Sequence, residues 1–165
     1  MDRTTVRFGR IQSEKQMKYI AHRGLTQGPD KKLENHPNQI KKSLKEGYDC
    51  EVDLWVVHTE LWLGHDEPQY QVDDKFINQF GLWVHAKNID ALRFLRITDS
   101  NYFWHENDQY TLTSHRWIWT YPGKDLTSIS VMVMPETVDA TLAICKDARC
   151  YAICSDFVEQ IKNQS

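Results

Sequence analysis

Three polar clusters in the first seventy residues combine side chains able to handle a charged, proton-exchanging substrate. The first is Glu51-Val52-Asp53, set in the run Asp49-Cys50-Glu51-Val52-Asp53-Leu54-Trp55. Side chains alternate along a strand, so Glu51 and Asp53 share one face while Val52 and Leu54 take the other. Two carboxylates turned into an interior repel each other and lose solvation, which raises the pKa of each. A divalent cation removes that penalty, and oxygen ligands of this kind suit Mg2+ or Ca2+. The second cluster, Ala21-His22-Arg23-Gly24, offers an imidazole for proton transfer and a guanidinium fork for an anion. The third, Gly64-His65-Asp66-Glu67-Pro68, is a sharp turn presenting His65 at the end of an apolar run. Each cluster alone has a plain reading as a strand cap, a solvated strand face or an exposed turn.

Such side chains need strand ends to hold them. Short apolar runs bounded by polar, Gly or Pro residues predict strands at Lys18–His22, Asp49–Val57, Leu61–Gly64, Leu82–Lys87, Tyr102–Asn107, Trp117–Tyr121, Ile129–Met134 and Cys150–Ser155. Helices are expected at Pro37–Glu46, Ile89–Arg96, Val138–Lys146 and Asp156–Ile161. The first has Asn35-His36 before it and Gly47 after it, a good start and stop. Strands alternating with helices predict an α/β domain with mainly parallel pairing. We expect a reduced (β/α)8 TIM-type barrel with shortened helices, because a full barrel needs about 250 residues and this chain has 165. Leu61–Gly64 is either a barrel strand or the return arm of a hairpin. An open doubly wound sheet is disfavoured because no Gly-rich loop follows the first strand.

Bulk properties narrow the partners. A net charge of -3 gives no reason to expect nucleic acid or an anionic membrane, and no apolar run approaches bilayer length. The polar start, Met1 to Arg7, lacks the apolar stretch of a secretory signal, which points to a cytoplasmic protein. Cys50, Cys145, Cys150 and Cys154 form no C-x2-C pair and are expected to be free thiols. No linker divides residues 1–165, so one domain is expected.

Taken in order, Ala21-His22-Arg23-Gly24, Glu34-Asn35, Glu51-Val52-Asp53 and His65-Asp66 resemble the glycerophosphodiester phosphodiesterase family, within the phospholipase-C-like phosphodiesterases. The likeness covers roughly residues 18–68, with an echo at Tyr151-Ala152-Ile153-Cys154-Ser155-Asp156 similar to the family's last barrel strand. It implies a metal-dependent hydrolase of a small glycerophosphodiester or a related sugar or lipid head-group phosphodiester. His22 and His65 would be the acid/base pair, Glu51 and Asp53 metal ligands, and Arg23 a phosphate contact. Glu34 would be a ligand or the group that orients Arg23.

The chain departs from the family in two places. Trp83-Val84-His85-Ala86-Lys87 puts His85 where the family has its next Glu, while Lys87 matches and could contact phosphate. An imidazole there weakens a hard-cation site. Glu106, sharing a face with Asp108, is therefore a candidate extra ligand beside His85, with His105 facing away. The lid that commonly follows His-Asp is reduced here to the stretch from Glu67 to Phe80, so the site should be open. Trp104, Trp117, Trp119 and Tyr121 read as core packing before substrate wall. The alternative reading is a degenerate barrel that binds a phosphorylated ligand without hydrolysing it.

Overall fold

The computed structural model describes residues 17–164. The strands are β1 (Lys18–Ala21), β2 (Asp49–Val57), β3 (Glu60–Leu63), β4 (Tyr70–Val72), β5 (Leu82–Ala86), β6 (Asn101–Phe103), β7 (Tyr110–Leu112), β8 (Ile118–Thr120), β9 (Ser130–Val133) and β10 (Ala152–Ser155). The helices are α1 (Pro37–Lys45), α2 (Asp74–Ile77), α3 (Ile89–Leu95) and α4 (Val158–Asn163). All ten strands belong to one mixed sheet. Its parallel part runs β6-β5-β2-β1-β10-β9-β8. The β2-β3-β4 meander and β7 on β8 pair antiparallel.

Residue parity sorts the two faces of this sheet. Cys50, Val52 and Leu54 of β2, with Leu82, Val84 and Ala86 of β5, pack outward with Ile40 of α1, Phe76 and Ile77 of α2, and Ala91 and Leu95 of α3. The opposite face buries Ile20, Trp83, Phe103, Trp119, Val131, Val133, Ala152 and Cys154 in one cluster drawn from six strands. Strands so far apart in the sheet touch only because it curls, the sense of bending that strand twist promotes.

This is a curled half-barrel and not the reduced (β/α)8 TIM-type barrel expected from the pattern. Only four short helices are present among the described residues, none longer than nine residues. The sheet is also open, since no ladder joins β6 to β8. The two flanks meet instead through Ser114, whose N–H donates to Tyr102 O (2.8 Å) while its Oγ accepts from Tyr102 N (2.9 Å). Phe103 stacks on Trp119 across the same seam, with ring centroids 4.5 Å apart.

The one expected helix that does not form has a local cause. Across the expected Val138–Lys146 helix the chain forms only short 3-10 turns, at Pro135–Thr137 and Ala143–Cys145. Asp139 competes with a helix ladder by accepting from Thr141 N, Thr141 Oγ1 and Ile144 N. Leu142 sits in the left-handed region at φ 60, which ends any helix there. The expected Tyr102–Asn107 strand stops at Phe103, where pairing with β5 ends. Leu61–Gly64 proves to be the hairpin arm, since β3 returns on β2 through His58 and Thr59, both at positive φ.

Two devices hold the C-terminal ends of β1, β2 and β5. Asn88 caps α3 by accepting from Ala91 N (2.9 Å) and also exchanges bonds with Val56 of β2 (3.2 and 2.9 Å). Gly24 lies at φ 78 against α1, and a Cβ there would come within 2.9 Å of Ile40 Cγ1. Ser43 Oγ and Gln39 Nε2 both donate to Gly24 O, at 2.8 and 3.0 Å. Helix α1 thereby sets the His22-Arg23-Gly24 turn. All four cysteines are free.

Candidate metal centre and anion cleft

The register Glu51↔Trp83 and Asp53↔His85 puts Glu51, Asp53 and His85 on the concave face, one layer above the aromatic floor. One potential ligand atom from each lies within 4.8 Å of the others, the single such grouping among the described residues. Glu51 and Asp53 are 3% and 1% exposed. The Glu51 carboxylate receives one hydrogen bond from the described residues, Arg23 N to Oε2 at 3.1 Å. Burial and the neighbouring Asp53 charge push its pKa up. Asp53 goes the other way: burial opposes its charge, but the His85 hydrogen bond and the His85, Lys87 and Arg23 charges hold it well below the usual carboxylate range.

Asp53 is held on several sides. Asn35 Nδ2 donates to its Oδ2 (2.9 Å), while Asn35 Oδ1 accepts from its backbone N–H (2.9 Å). Arg23 Nε is 3.4 Å from Oδ2, and Lys87 Nζ is 3.5 Å from Oδ1. His85 Nε2 lies 3.1 Å from the His105 carbonyl, which only accepts, so Nε2 carries the proton. His85 Nδ1 then faces Asp53 Oδ1 at 3.1 Å. A neutral imidazole would turn its lone pair on the carboxylate, an arrangement that a proton or a cation between them makes favourable. The donor set of two buried carboxylates and one imidazole, oriented by a backbone carbonyl, therefore fits a divalent ion.

Cationic groups surround this trio. Arg23 occupies the left-handed region at φ 51, and its Nη1 donates to Glu34 Oε2 at 2.8 Å. Glu34 is thus the orienter of Arg23. The Arg23 Nε is buried without a hydrogen-bond partner. His22 Nδ1 bonds Asp156 Oδ1 at 2.9 Å and its Nε2 lies 4.0 Å from Glu51 Oε2. Burial works against the His22 charge, but the Asp156 hydrogen bond and the Glu51 charge outweigh it and raise the pKa. His65 bonds Asp66 at 2.7 Å, and burial lowers its pKa. Its turn depends on Gly64, where a Cβ would lie 2.0 Å from Glu67 O.

These groups line a cleft of about 280 Å3, with Phe103, His105, Trp119, Tyr121, Pro122, Val133, Met134 and Thr137 on its other wall. A larger cleft of about 460 Å3 at the opposite strand ends, around Lys18, Asp49 and Trp83, contains no metal-ligand group.

Most of the expected residues converge here, and one does not. His22, Arg23, Glu51, Asp53, His65 and His85 line the cleft, while Glu34 and Lys87 pair with Arg23 and Asp53. Glu106 is exposed and outside the ligand group, its N–H donating to Asp108 in a local turn. The face assignment behind it fails because β6 ends at Phe103 and alternation ends with it; His105 takes the inward place. Sequence reasoning also passed over Asn35 and Asp156 as site residues, although both lie in the motif matches Glu34-Asn35 and Ser155-Asp156. The alternation that singles out Glu106 turns His105 away from the site, and the structure reverses that expectation. Comparison of the chain with family models, curated proteins and solved structures finds no match.

Proposed function

We propose that the chain is a divalent-metal-dependent phosphodiester hydrolase, acting on a small glycerophosphodiester or a related sugar or lipid head-group phosphodiester. The observation that carries this reading is the meeting of a Glu51–Asp53–His85 ligand group, two carboxylate-backed histidines and Arg23 in one cleft. A bound Mg2+ or Ca2+ would offset the carboxylate charges and act as a Lewis acid toward the phosphate. Arg23, fixed by Glu34, presents its guanidinium to the phosphate, and Lys87 adds positive charge beside Asp53. His22 and His65 divide the proton work, one accepting from the nucleophile and the other donating to the leaving alkoxide. Asp156 and Asp66 bond the Nδ1 atoms, which leaves each Nε2 to exchange protons. No helix among the described residues is long and apolar enough to cross a membrane. The reading includes a cytoplasmic location and a small-molecule partner.

Turnover of bis-p-nitrophenyl phosphate tests it. We expect Mg2+- or Ca2+-dependent release of p-nitrophenolate, abolished by chelator and lost in His22→Ala and His65→Ala proteins that keep their circular dichroism. Full activity in both variants would falsify the mechanism. The second reading, a phosphate-binding protein without turnover, is favoured by Lys87 and Arg23 already balancing Asp53. Phosphate binding without metal-dependent turnover would select it.

A further inference from the structure

The cleft has two chemically different walls. One carries His22, Arg23, Glu51, Asp53, His65 and His85. The other carries no carboxylate, ammonium or guanidinium. Its base is closed by Phe103, Trp119 and Val133, at most 9% exposed, whereas Tyr121 stands 44% exposed at its rim. The Tyr121 ring meets His105 edge-on at 6.0 Å. Neither the Tyr121 hydroxyl nor the His105 ring nitrogens take a hydrogen bond from the described residues. Met134 lies at φ 47, a left-handed backbone rare for a side chain of this type, and still lines the cleft. That conformation is held by Met134 N–H to Cys154 O (2.8 Å) and by Thr137 N–H and Oγ1 to Met134 O (3.0 and 2.7 Å).

The exposed Tyr121 ring, the apolar Met134 and Pro122 and the neutral hydrogen-bonding groups that line this wall form an amphipathic, uncharged subsite. A quaternary ammonium head group could rest on the Tyr121 face, but it has no hydroxyls or N–H donors and would leave the neutral polar groups beside that ring unused. A diacylglycerol exceeds a cleft of about 280 Å3, and glycerol has no flat apolar face. A pyranose ring presents C–H bonds on one face and hydroxyls around its edge, matching both kinds of group. We infer that this wall is a pyranose subsite, with Tyr121 under the sugar face and His105 at its hydroxyl edge, so that the diester carries a hexose on its phosphate. The inference rests on the phosphodiester reading above and narrows its alcohol.

Isothermal titration in Mg2+ buffer, with inorganic phosphate, glycerol 3-phosphate, phenyl phosphate and α-D-glucose 1-phosphate, separates the two. We expect glucose 1-phosphate to bind about tenfold tighter than glycerol 3-phosphate, or ~1.4 kcal/mol. That ratio falls to about one in Tyr121→Ala and is largely kept in Tyr121→Phe, with circular dichroism confirming both folds. If no phosphate compound binds, the phosphodiester reading fails and takes the subsite with it. If inorganic phosphate binds but glucose 1-phosphate gains nothing over glycerol 3-phosphate, the subsite alone is overturned. Phenyl phosphate binding tighter than glucose 1-phosphate overturns it too, because the neutral polar groups would then be unused.

Discussion

At the residue scale the site is an argument between buried charges. Glu51 and Asp53 are both buried on one face, yet their pKa values move in opposite directions because Lys87, Arg23 and His85 crowd Asp53. His85 is the weak member for a hard cation. His85→Glu should therefore tighten Mg2+ by about tenfold, since a third anionic oxygen suits that ion better than nitrogen; titration calorimetry giving weaker Mg2+ binding would reject His85 as a ligand. His22 supplies a pH prediction. Its folded pKa is raised above the ordinary 6.5, so its ionic contacts stabilise the fold fully below that value. Their contribution is lost as pH rises through the folded pKa. Asp156→Asn removes the largest raising influence and leaves burial, so the His22 resonance should titrate at lower pH by NMR. An unchanged or higher midpoint would mean that Asp156 does not tune His22.

At the element scale, turns and caps decide where those charges point. Asn88 both caps α3 and clips β2 beside Lys87. Asn88→Ala should cost about 1–2 kcal/mol in urea unfolding, and a loss within error would show the clip to be dispensable. Gly24→Ala combines a positive φ with a 2.9 Å approach to Ile40. It should destabilise by more than about 1 kcal/mol and weaken phosphate binding as well, because Arg23 is carried by the same turn. An unaltered melting temperature would show that the turn relaxes freely. Strand β2 coincides with its expected range because apolar and carboxylate side chains alternate along it, and both register with β5. The region after β9 has apolar residues at helical spacing, but Asp139 and Leu142 impose turns on it.

At the scale of the whole molecule, curling brings β2, β5, β6 and β8 around one cleft. Metal binding should then report on the entire fold. Saturating Mg2+ at a hundred times its dissociation constant should stabilise the protein by about 2.7 kcal/mol. The rise in melting temperature should vanish in Asp53→Asn. An equal rise in that variant would place the metal elsewhere.

The sequence by itself determined which side chains share the acidic wall. Strand alternation places Glu51 with Asp53 and separates them from Val52 and Leu54, while Gly64 and Gly24 mark turns that few other residues could make. These are local rules, readable over a few positions. Tertiary structure alone decided the rest. Whether strands close into a barrel depends on pairing between β6 and β8, more than a dozen residues apart, and on a helix that local side-chain bonds prevent. Which side chain joins Glu51 and Asp53 in the candidate ligand group depends on the same kind of pairing, because His85 registers with Asp53 while β6 ends before Glu106. The opposite wall, from His105 through Tyr121 to Met134, exists only where distant strands curl together, and no spacing along the chain encodes that meeting.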